Sequence, residues 1–438
     1  MTRTPEQLLE DVAKALPEVA APETRLASVE PALAAAYVQD RVRGALVHFL
    51  NGNFSGRQYG PGDLGRRPDA LLVREMKSLA ALIGRANDAH GLFGASTREG
   101  ASLTKGGRAD LTEIARFFSV FYAEFGEWAE GQSGRAETFK SAPPLPADFA
   151  KSGQDSLDPI SRLVARIESD IAPFAEAVFL DGSLGTCDFI PGWSDVDILL
   201  IVGKETVLEP RRLTALRRRL RDSLRHFCAF DPLQLHGYMV MCAFDLDWYG
   251  DSYFPLSLLP WCRTVHARRE AMDARRRQED PFMFLRAFWN NAVRYFLEID
   301  GHCPGRVRDR RDLRRLKLFV HRLLTFPLFY LQTKGTCVYK RESFEMAKPD
   351  FPAAVWEIVE RASEFRMRFA DIEPVSDPSF FSSLLPTPLF VRAREIQAYR
   401  SADQLAAFRS LESAWPEWRK RAIELAMTGW DLAAEGMH

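Results

Sequence analysis

The sequence predicts an α+β fold in which a small mixed sheet is flanked by N-terminal and C-terminal all-helical domains. Two short apolar runs, 177–180 and 196–202, have the length and composition of buried strands. On both sides of them apolar residues recur at helical spacing. A stretch rich in Gly, Ser and Pro at 130–159 is typical of a linker. The predicted domains are therefore 1–150, to which no function is assigned, 158–250 and 251–438.

The first 150 residues show helical patterns. Leu8, Val12 and Leu16 lie on one face of a first helix, and a longer apolar stripe predicts a second helix from Pro31 to Leu50. Further helices are predicted at about 70–88 and 109–130. The last of these carries an aromatic stripe that is expected to pack in a core. The Gly-rich segment 51–69 is expected to be a surface connection.

The central region mixes helices and strands. Asp158-Pro159 opens a predicted helix that leads into the strand at 177–180. After the strand at 196–202, a helix is predicted from about Glu209 to His226, with arginines along one side. In a chain of net charge −1 these arginines are expected to form a solvated face. A third strand is predicted at 233–242. From about 255 the pattern is wholly helical, with helices at 281–300, 312–335 and 351–370 and two more after them.

Two carboxylates mark the start of the second strand. Asp195 and Asp197 flank Val196, and because strand side chains alternate faces, both acids point one way while Val196 and Ile198 point into the core. Like charges this close repel unless a cation lies between them. Mg²⁺ takes one or two carboxylates and completes its shell with substrate phosphates. The pair therefore predicts a metal site, and the metal predicts a nucleotide.

A phosphate site is predicted at the end of the first strand, where Gly182 allows close backbone approach and Ser183 can donate a hydrogen bond. The order strand, Gly182-Ser183, eleven residues, Asp195-Val196-Asp197 and strand resembles the signature of the polymerase-beta-like nucleotidyltransferase superfamily. The resemblance covers about 175–250. It implies a nucleotidyltransferase core over 158–250, with Mg²⁺ or Mn²⁺ at Asp195 and Asp197. It also implies that ATP or another NTP contacts Gly182, Ser183 and Ser194.

The superfamily usually carries a third carboxylate on the next strand, as metal ligand or general base. The predicted strand at 233–242 offers His236 instead. Because histidine can take a proton from a hydroxyl near neutral pH, His236 is a candidate base. A strand histidine satisfied by its neighbours is the other interpretation. The nearby acids Asp231, Asp245 and Asp247 are further candidates for the third position.

One more motif lies in the C-terminal region. The run TKGTCVYKRE, from Thr333 to Glu342, is similar to the Thr-Gly, spacer, Tyr-Lys element of aminoglycoside-adenylyltransferase-like enzymes. In those enzymes the lysine reaches the nucleotide phosphates, and Lys340 matches it, although the extra residue Lys334 shifts the pattern. A cation at a helix N-terminus suits a triphosphate. The alternative is a Gly-capped helix end followed by an exposed lysine.

These features predict an enzyme that moves a nucleoside monophosphate, AMP from ATP, to a hydroxyl of an unidentified acceptor. The acceptor would be a small molecule or a protein, and nucleic acid is the less favoured partner. One alternative is a nucleotide-binding regulatory or interaction protein without turnover, because the third acid is missing. Another is an RNA-directed or oligonucleotide-directed transferase, which would need the arginine-rich helices to form a continuous basic groove.

The composition excludes several other classes of protein. With a net charge of −1, the chain as a whole has no electrostatic attraction to nucleic acid or membrane. The six cysteines contain no Cys-x-x-Cys pair, so they indicate neither a zinc site nor a disulfide framework. The sequence also lacks a secretory signal and an apolar run of about 18 residues. We therefore expect a cytoplasmic protein without membrane contact.

Overall fold

The computed structural model describes residues 3–20, 22–52, 68–105, 110–145, 157–251, 253–278, 280, 282–303, 305–372 and 385–435. Over these residues the chain is a mixed α+β protein and is mostly helical, as predicted. The predicted surface connection at 51–69 lies almost entirely outside the described residues. The middle of the predicted linker, 146–156, lies outside them as well.

The N-terminal region is helical up to residue 130. Its main helices are α1 (Pro5–Ala15), α2 (Pro31–Asn51), α3 (Pro68–His90), α4 (Gly94–Lys105) and α5 (Leu111–Glu130), with a shorter helix at Pro17–Ala20. In α1, Thr4 and Gln7 form a capping box in which each side chain accepts from the other's backbone N–H. The predicted helices are confirmed. Helix α4 was not predicted, because its Gly, Ser and Thr residues leave only a weak apolar pattern.

The predicted linker contains a strand, β1 (Arg135–Lys140), which pairs antiparallel with β6 (Ala271–Arg276). The prediction that the regions flanking the sheet are all helical is therefore wrong at both strands. Most side chains of β1 are polar and exposed. The strand depends on a partner far along the chain, which a local pattern does not show.

A four-stranded mixed sheet lies in the middle of the chain, in the order β4-β3-β2-β5. Its strands pair antiparallel except for β3 with β4, which are parallel. The elements of this region are α6 (Asp158–Arg166), β2 (Ala175–Asp181), α7 (Gly182–Thr186), β3 (Asp197–Val202), a short helix at Lys204–Leu208, α8 (Pro210–Phe230), β4 (Met239–Cys242) and β5 (Arg263–Ala267). The predicted mixed sheet is confirmed, but β5 lies in the region predicted to be wholly helical.

The third strand is shorter than predicted, because it begins at Met239 and not at 233. Before it, the side-chain amide of Gln234 bonds to both the N–H and the C=O of Val196, at 2.9 Å each. A side chain thus takes the place of a strand neighbour for Val196. His236 consequently lies in an irregular segment that leads into β4.

The C-terminal region consists of helices after β6. They are α9 (Met283–Phe288), which continues through a turn of wider helix into Arg294–Leu297, a short helix at Ile299–His302, α10 (Arg310–Thr333), α11 (Lys340–Ala347), α12 (Ala353–Met367), α13 (Thr387–Arg400) and α14 (Ala402–Glu435). The predicted helices at 281–300, 312–335 and 351–370 are confirmed within a few residues at their ends.

The described residues form three hydrophobic cores. The first joins N-terminal helices to one sheet face and includes Phe118, Val178 and Leu220. The second lies among the C-terminal helices and also takes in Leu8 and Val12 of α1. The third covers the opposite sheet face. These cores cross the predicted domain bounds at 150 and 251.

Candidate metal centre

The candidate site forms where β2 ends and β3 begins. Antiparallel pairing of these strands places Asp181 directly opposite Asp197. Val196 and Ile198 are fully buried in the first core, as predicted. The carboxylates of Asp195 and Asp197 therefore lie together at this end of the sheet, and Asp195 is itself buried.

The structure brings His236 to both of these carboxylates. Its Nε2 lies 2.7 Å from Asp197 Oδ1 and 4.0 Å from Asp195 Oδ2. Its Nδ1 lies 2.7 Å from the carbonyl oxygen of Gly237, and because a carbonyl can only accept, Nδ1 carries a proton and donates. Each of the three residues can offer one ligand atom, and these atoms lie within 4.8 Å of one another. Asp195, Asp197 and His236 thus form a group that can hold a metal ion.

One atom of this group lacks a hydrogen bond. Asp195 Oδ2 is buried and has no hydrogen-bond partner among the described residues. Burial alone would raise the pKa of Asp195, but Lys317 and other nearby cations, including His236, lower it to about 2. Because a buried carboxylate oxygen without a hydrogen bond is costly, this ionised oxygen is suited to a metal ion.

The pKa values of His236 and of the neighbouring Asp181 are shifted as well. Burial would lower the pKa of His236, but its hydrogen bond and ion pair with Asp197 raise it to about 9. Burial and the neighbouring Asp197 raise the pKa of Asp181 to about 6. The thiol of Cys262 donates to Asp181 Oδ1 at 3.4 Å. Without a metal, the proton on His236 supplies the positive charge between the aspartates.

Asp181 was not predicted as a site residue. It was interpreted only as the end of the first strand, and its place beside Asp197 depends on the antiparallel register. The available signal in the sequence was an aspartate at the end of the first strand and another at the start of the second, on either side of the segment that connects the two strands. Antiparallel pairing of such strands would bring the two acids together.

In this structure Gly182 leaves space for the carboxylate of Asp197. Its φ is +61°, and a β-carbon there would collide with Asp197 Oδ2. The glycine is thus required where the backbone approaches a carboxylate, whereas the predicted approach was to a phosphate. The neighbouring Ser183 is half-buried in the first turn of α7. Phosphate binding by both residues stays a prediction.

Ser194 has a structural part in the loop before the aspartates. Its buried hydroxyl accepts from the N–H of Ile190 at 2.8 Å, and its own N–H donates to the Ile190 carbonyl at 2.8 Å. These bonds hold the turn that leads into Asp195. The predicted nucleotide contact of Ser194 stays a prediction.

The other candidates for the third acid point elsewhere. Asp231 is buried in an ion pair with Lys317 at 2.5 Å. Asp245 is buried and accepts from Gln39 and from the backbone of Cys242, and Asp247 pairs with Lys204. Among the described residues, none of these three acids belongs to the group that can hold a metal. His236 takes that place.

Lys340 lies close enough to the aspartates to interact with them. It is the first residue of α11 and is half-buried, whereas the alternative had an exposed lysine after a Gly-capped helix end; the cap itself is present, because Gly335 has a φ of +74° directly after α10. Burial and then the Arg366 guanidinium lower its pKa to about 8, although Asp195, Asp197 and Asp188 favour its charged form. A second cation, Arg366 of α12, was not predicted, because packing of a distant helix brings it here. Its Nε is buried without a hydrogen bond to the described residues.

A small hydrogen-bond cluster fixes the start of α11 against the sheet region. The Tyr339 hydroxyl lies 2.8 Å from Asp188 Oδ1 and 2.7 Å from Thr186 Oγ1. Thr186 belongs to α7, directly after the strand that ends in Asp181. These bonds connect the C-terminal helices to the metal-capable group, and Lys340 follows Tyr339 in the chain.

Among the described residues, no helix combines the length and the apolar character needed to cross a membrane. Comparisons of this chain with protein-family models, with curated proteins and with solved structures find no match. The function is therefore inferred from the residues of the site.

Proposed function

We propose that this protein is a metal-dependent nucleotidyltransferase that moves a nucleoside monophosphate, AMP from ATP, onto a hydroxyl of an acceptor. The observation that carries the proposal is the convergence of Asp195, Asp197 and His236 on one point, with Lys340 close by. Carboxylates that hold a divalent cation beside a cation for phosphates are the parts that phosphoryl-transfer chemistry needs.

The residues present fit a divalent cation. Asp195 Oδ2 is buried without a hydrogen bond to the described residues, and Asp197 Oδ1 is paired with His236 Nε2. Oxygen donors suit Mg²⁺, whereas an imidazole nitrogen suits softer ions. A site of two carboxylates and one imidazole should therefore accept Mn²⁺ at least as readily as Mg²⁺. When bound, the cation would neutralise the triphosphate and stabilise the attacking and leaving oxygens.

His236 is better placed to be a ligand than a base. Its Nδ1–H donates to the Gly237 carbonyl, and this bond turns Nε2 toward the aspartates. Metal-binding histidines commonly use such a bond to a carbonyl to fix their tautomer. In the transfer, the acceptor oxygen would bond to the α-phosphorus, pyrophosphate would leave, and the hydroxyl proton would pass to solvent. Lys340 and Arg366 would hold the phosphates.

The test measures metal binding and transfer separately. Mn²⁺ affinity is measured by electron paramagnetic resonance, and transfer by incubating each labelled NTP with Mg²⁺ or Mn²⁺, with and without cell extract. We expect Asp195→Asn and Asp197→Asn to lower both by more than about 100-fold, because each removes a charged ligand of the metal. Asp88→Asn, an exposed change on α3, is the matched control and should leave both unchanged.

Two outcomes distinguish the alternatives. Labelled product that is unchanged in both site variants would overturn the catalytic assignment. Tight binding of Mn²⁺ and ATP without product from any extract would favour the nucleotide-binding regulatory protein.

A further inference from the structure

A concave site lies beside the segment that carries His236. It is a cavity of about 1060 Å³ between α6, α8, α13 and the start of α10. Among the residues that the structure describes, eight arginines and two carboxylates line it. We call it the arginine groove, and its cationic walls include Arg162, Arg166, Arg218, Arg221, Arg314 and Arg392. The sequence predicted a solvated arginine face on α8, whereas the structure gathers part of that face into a groove with three other elements.

The walls of the groove are fixed by buried polar contacts. Arg394 of α13 is only 1% exposed and donates to the carbonyls of Cys228 and Ala229 at the end of α8. Arg310 of α10 pairs with Glu395 of α13 at 2.8 Å. These contacts hold α8, α10 and α13 together, so the groove is a built feature of the fold.

The charge of the groove is concentrated and is carried by guanidinium groups. Arg162, Arg218, Arg221 and Arg392 are exposed in it. The whole chain has a net charge of −1, so this positive surface is local. A concave surface of one sign focuses the electrostatic field. Guanidinium groups can bond phosphate oxygens in pairs, which ammonium groups cannot do as well.

We propose that the arginine groove binds the phosphodiester backbone of a nucleic-acid strand. Its volume of about 1060 Å³ is at the upper end of the range of about 300–1000 Å³ that is usual for small-molecule pockets, so it can hold several linked nucleotides. Its concave shape suits a strand better than a flat bilayer surface. The ring of Phe390 in its lining is buried, with the Arg225 guanidinium 5.1 Å from the ring centre, so it offers no exposed platform for stacking bases. Recognition would therefore rest on phosphates and would not depend on base sequence.

The groove and the candidate metal centre share one backbone segment. Arg314, in the groove wall, donates to the carbonyl of Leu235 at 2.8 Å. Asn51, also in the lining, bonds to the N–H and the C=O of Tyr238. His236 lies between these two anchored residues. A strand in the groove would thus lie next to the segment that positions His236, but its binding does not depend on the proposed function.

The test uses the full chain without nucleotide or added metal. Fluorescence anisotropy follows binding of labelled single-stranded RNA and DNA of one sequence, about 12 nucleotides long, between about 50 and 200 mM salt. If about four phosphates are neutralised, a plot of log Kd against log salt should have a slope near 3. RNA and DNA should bind equally well, because the proposed contacts are with phosphates.

Matched charge reversals locate the binding site. Arg218→Glu with Arg221→Glu should weaken binding at least about tenfold and reduce the salt slope. Arg211→Glu with Arg219→Glu makes the same change of charge on the same helix outside the groove and should change Kd less than about twofold. All four arginines are exposed, and Arg392→Glu provides a second test from the opposite wall.

Three results would overturn the proposal. The first is an absence of salt-dependent binding to both strands. The second is an equal loss of affinity in the two double variants. The third is displacement of RNA by inorganic polyphosphate at a lower phosphate concentration than by unlabelled RNA, which would assign the groove to polyphosphate. Failure of nucleotidyl transfer would leave the binding result unchanged, because neither metal nor NTP is present.

Discussion

The backbone conformation of Gly182 directly affects the candidate metal centre. In Gly182→Ala, a left-handed φ of +61° is imposed on a residue with a side chain, which costs about 1–2 kcal/mol. The new methyl would also displace Asp197 Oδ2. We expect the variant to bind Mn²⁺ at least about tenfold more weakly. Mutation of residues that hold the metal ligands in place commonly lowers metal affinity by this amount. Electron paramagnetic resonance gives the affinity and urea denaturation the free energy of unfolding.

Gly84→Ala is the control for this change. Gly84 lies within α3, and a β-carbon there would have no atom within 4 Å. This substitution should stabilise the protein by about 0.5–1 kcal/mol and leave Mn²⁺ affinity unchanged. Wild-type affinity in Gly182→Ala would show that Asp197 is not held by this glycine or does not bind the metal.

His236 gives the metal-free protein a defined dependence on pH. Its folded-state pKa of about 9 lies above the ordinary value of 6.5. The protonated pair with Asp197 therefore stabilises the fold fully below pH 6.5, and this contribution is lost as the pH rises to about 9. Mn²⁺ must displace the same proton, so its affinity should rise over this window. Urea denaturation and Mn²⁺ titrations at several pH values measure the two effects.

His236→Gln isolates this contribution. Burial lowers the pKa of Lys340 to about 8, so deprotonation of Lys340 stabilises the fold as the pH rises above 8, in the opposite sense. The difference in free energy of unfolding between wild type and His236→Gln removes that common term. A difference that stays constant from pH 6.5 to 9 would contradict the ion pair with Asp197.

At the scale of elements, a buried ion pair joins the residue that follows α8 to α10. Lys317 and Asp231 are each 2% exposed and lie 2.5 Å apart. We expect Lys317→Met to lower the free energy of unfolding by about 3–5 kcal/mol, because it leaves a buried carboxylate without its partner. The double variant Lys317→Met with Asp231→Leu should recover only part of this loss, because Lys317 also stabilises the ionised carboxylate of Asp195. Urea denaturation of both single variants and the double variant measures the coupling, and additive effects would contradict it.

The sequence predicts those helices and strands whose own residues show a clear apolar pattern. Helices α2, α5 and α10 show long apolar stripes, and β2 and β3 are apolar runs that are buried on both faces. Strands β1, β5 and β6 were missed because they are partly polar and gain stability only from distant partners. Residues 233–238 were predicted as strand from their composition, which does not show the Gln234 bonds that replace strand pairing.

The residues of the candidate site also divide into those that a local pattern indicates and those that distant parts of the chain bring into place. Asp195, Asp197 and His236 were found because two of them form a local motif and the third lies close after the next helix in the chain. One ligand atom from each of the three lies within 4.8 Å of the others, and their roles stay a prediction. Asp181 and Arg366 were missed because their positions depend on strand register and on the packing of α12. Local patterns therefore predicted the acids, whereas long-range packing supplied their surroundings.

At the scale of the whole molecule, the N-terminal helices contribute to the sheet and to the candidate site. The first core is shared between α2, α5 and α8 and one face of the sheet. The ring of Trp128 on α5 lies 4.7 Å from that of Trp248. Asn51, at the end of α2, holds the backbone of Tyr238 just after His236. Removal of these helices would expose apolar surface and release one side of the His236 segment.

We therefore expect the fragment 158–438 not to fold as an independent unit, because it lacks the helices that complete the first core. It should bind the dye ANS, lose near-ultraviolet circular dichroism and show no cooperative thermal transition, as is typical when specific packing is lost. The full chain should give a sharp transition under the same conditions. Because α1 packs in the second core, a chain lacking only residues 1–20 is a useful comparison and should still fold, with a lower melting temperature. A sharp transition and native-like circular dichroism in the fragment 158–438 would show that the predicted bound at 150 separates independent domains after all.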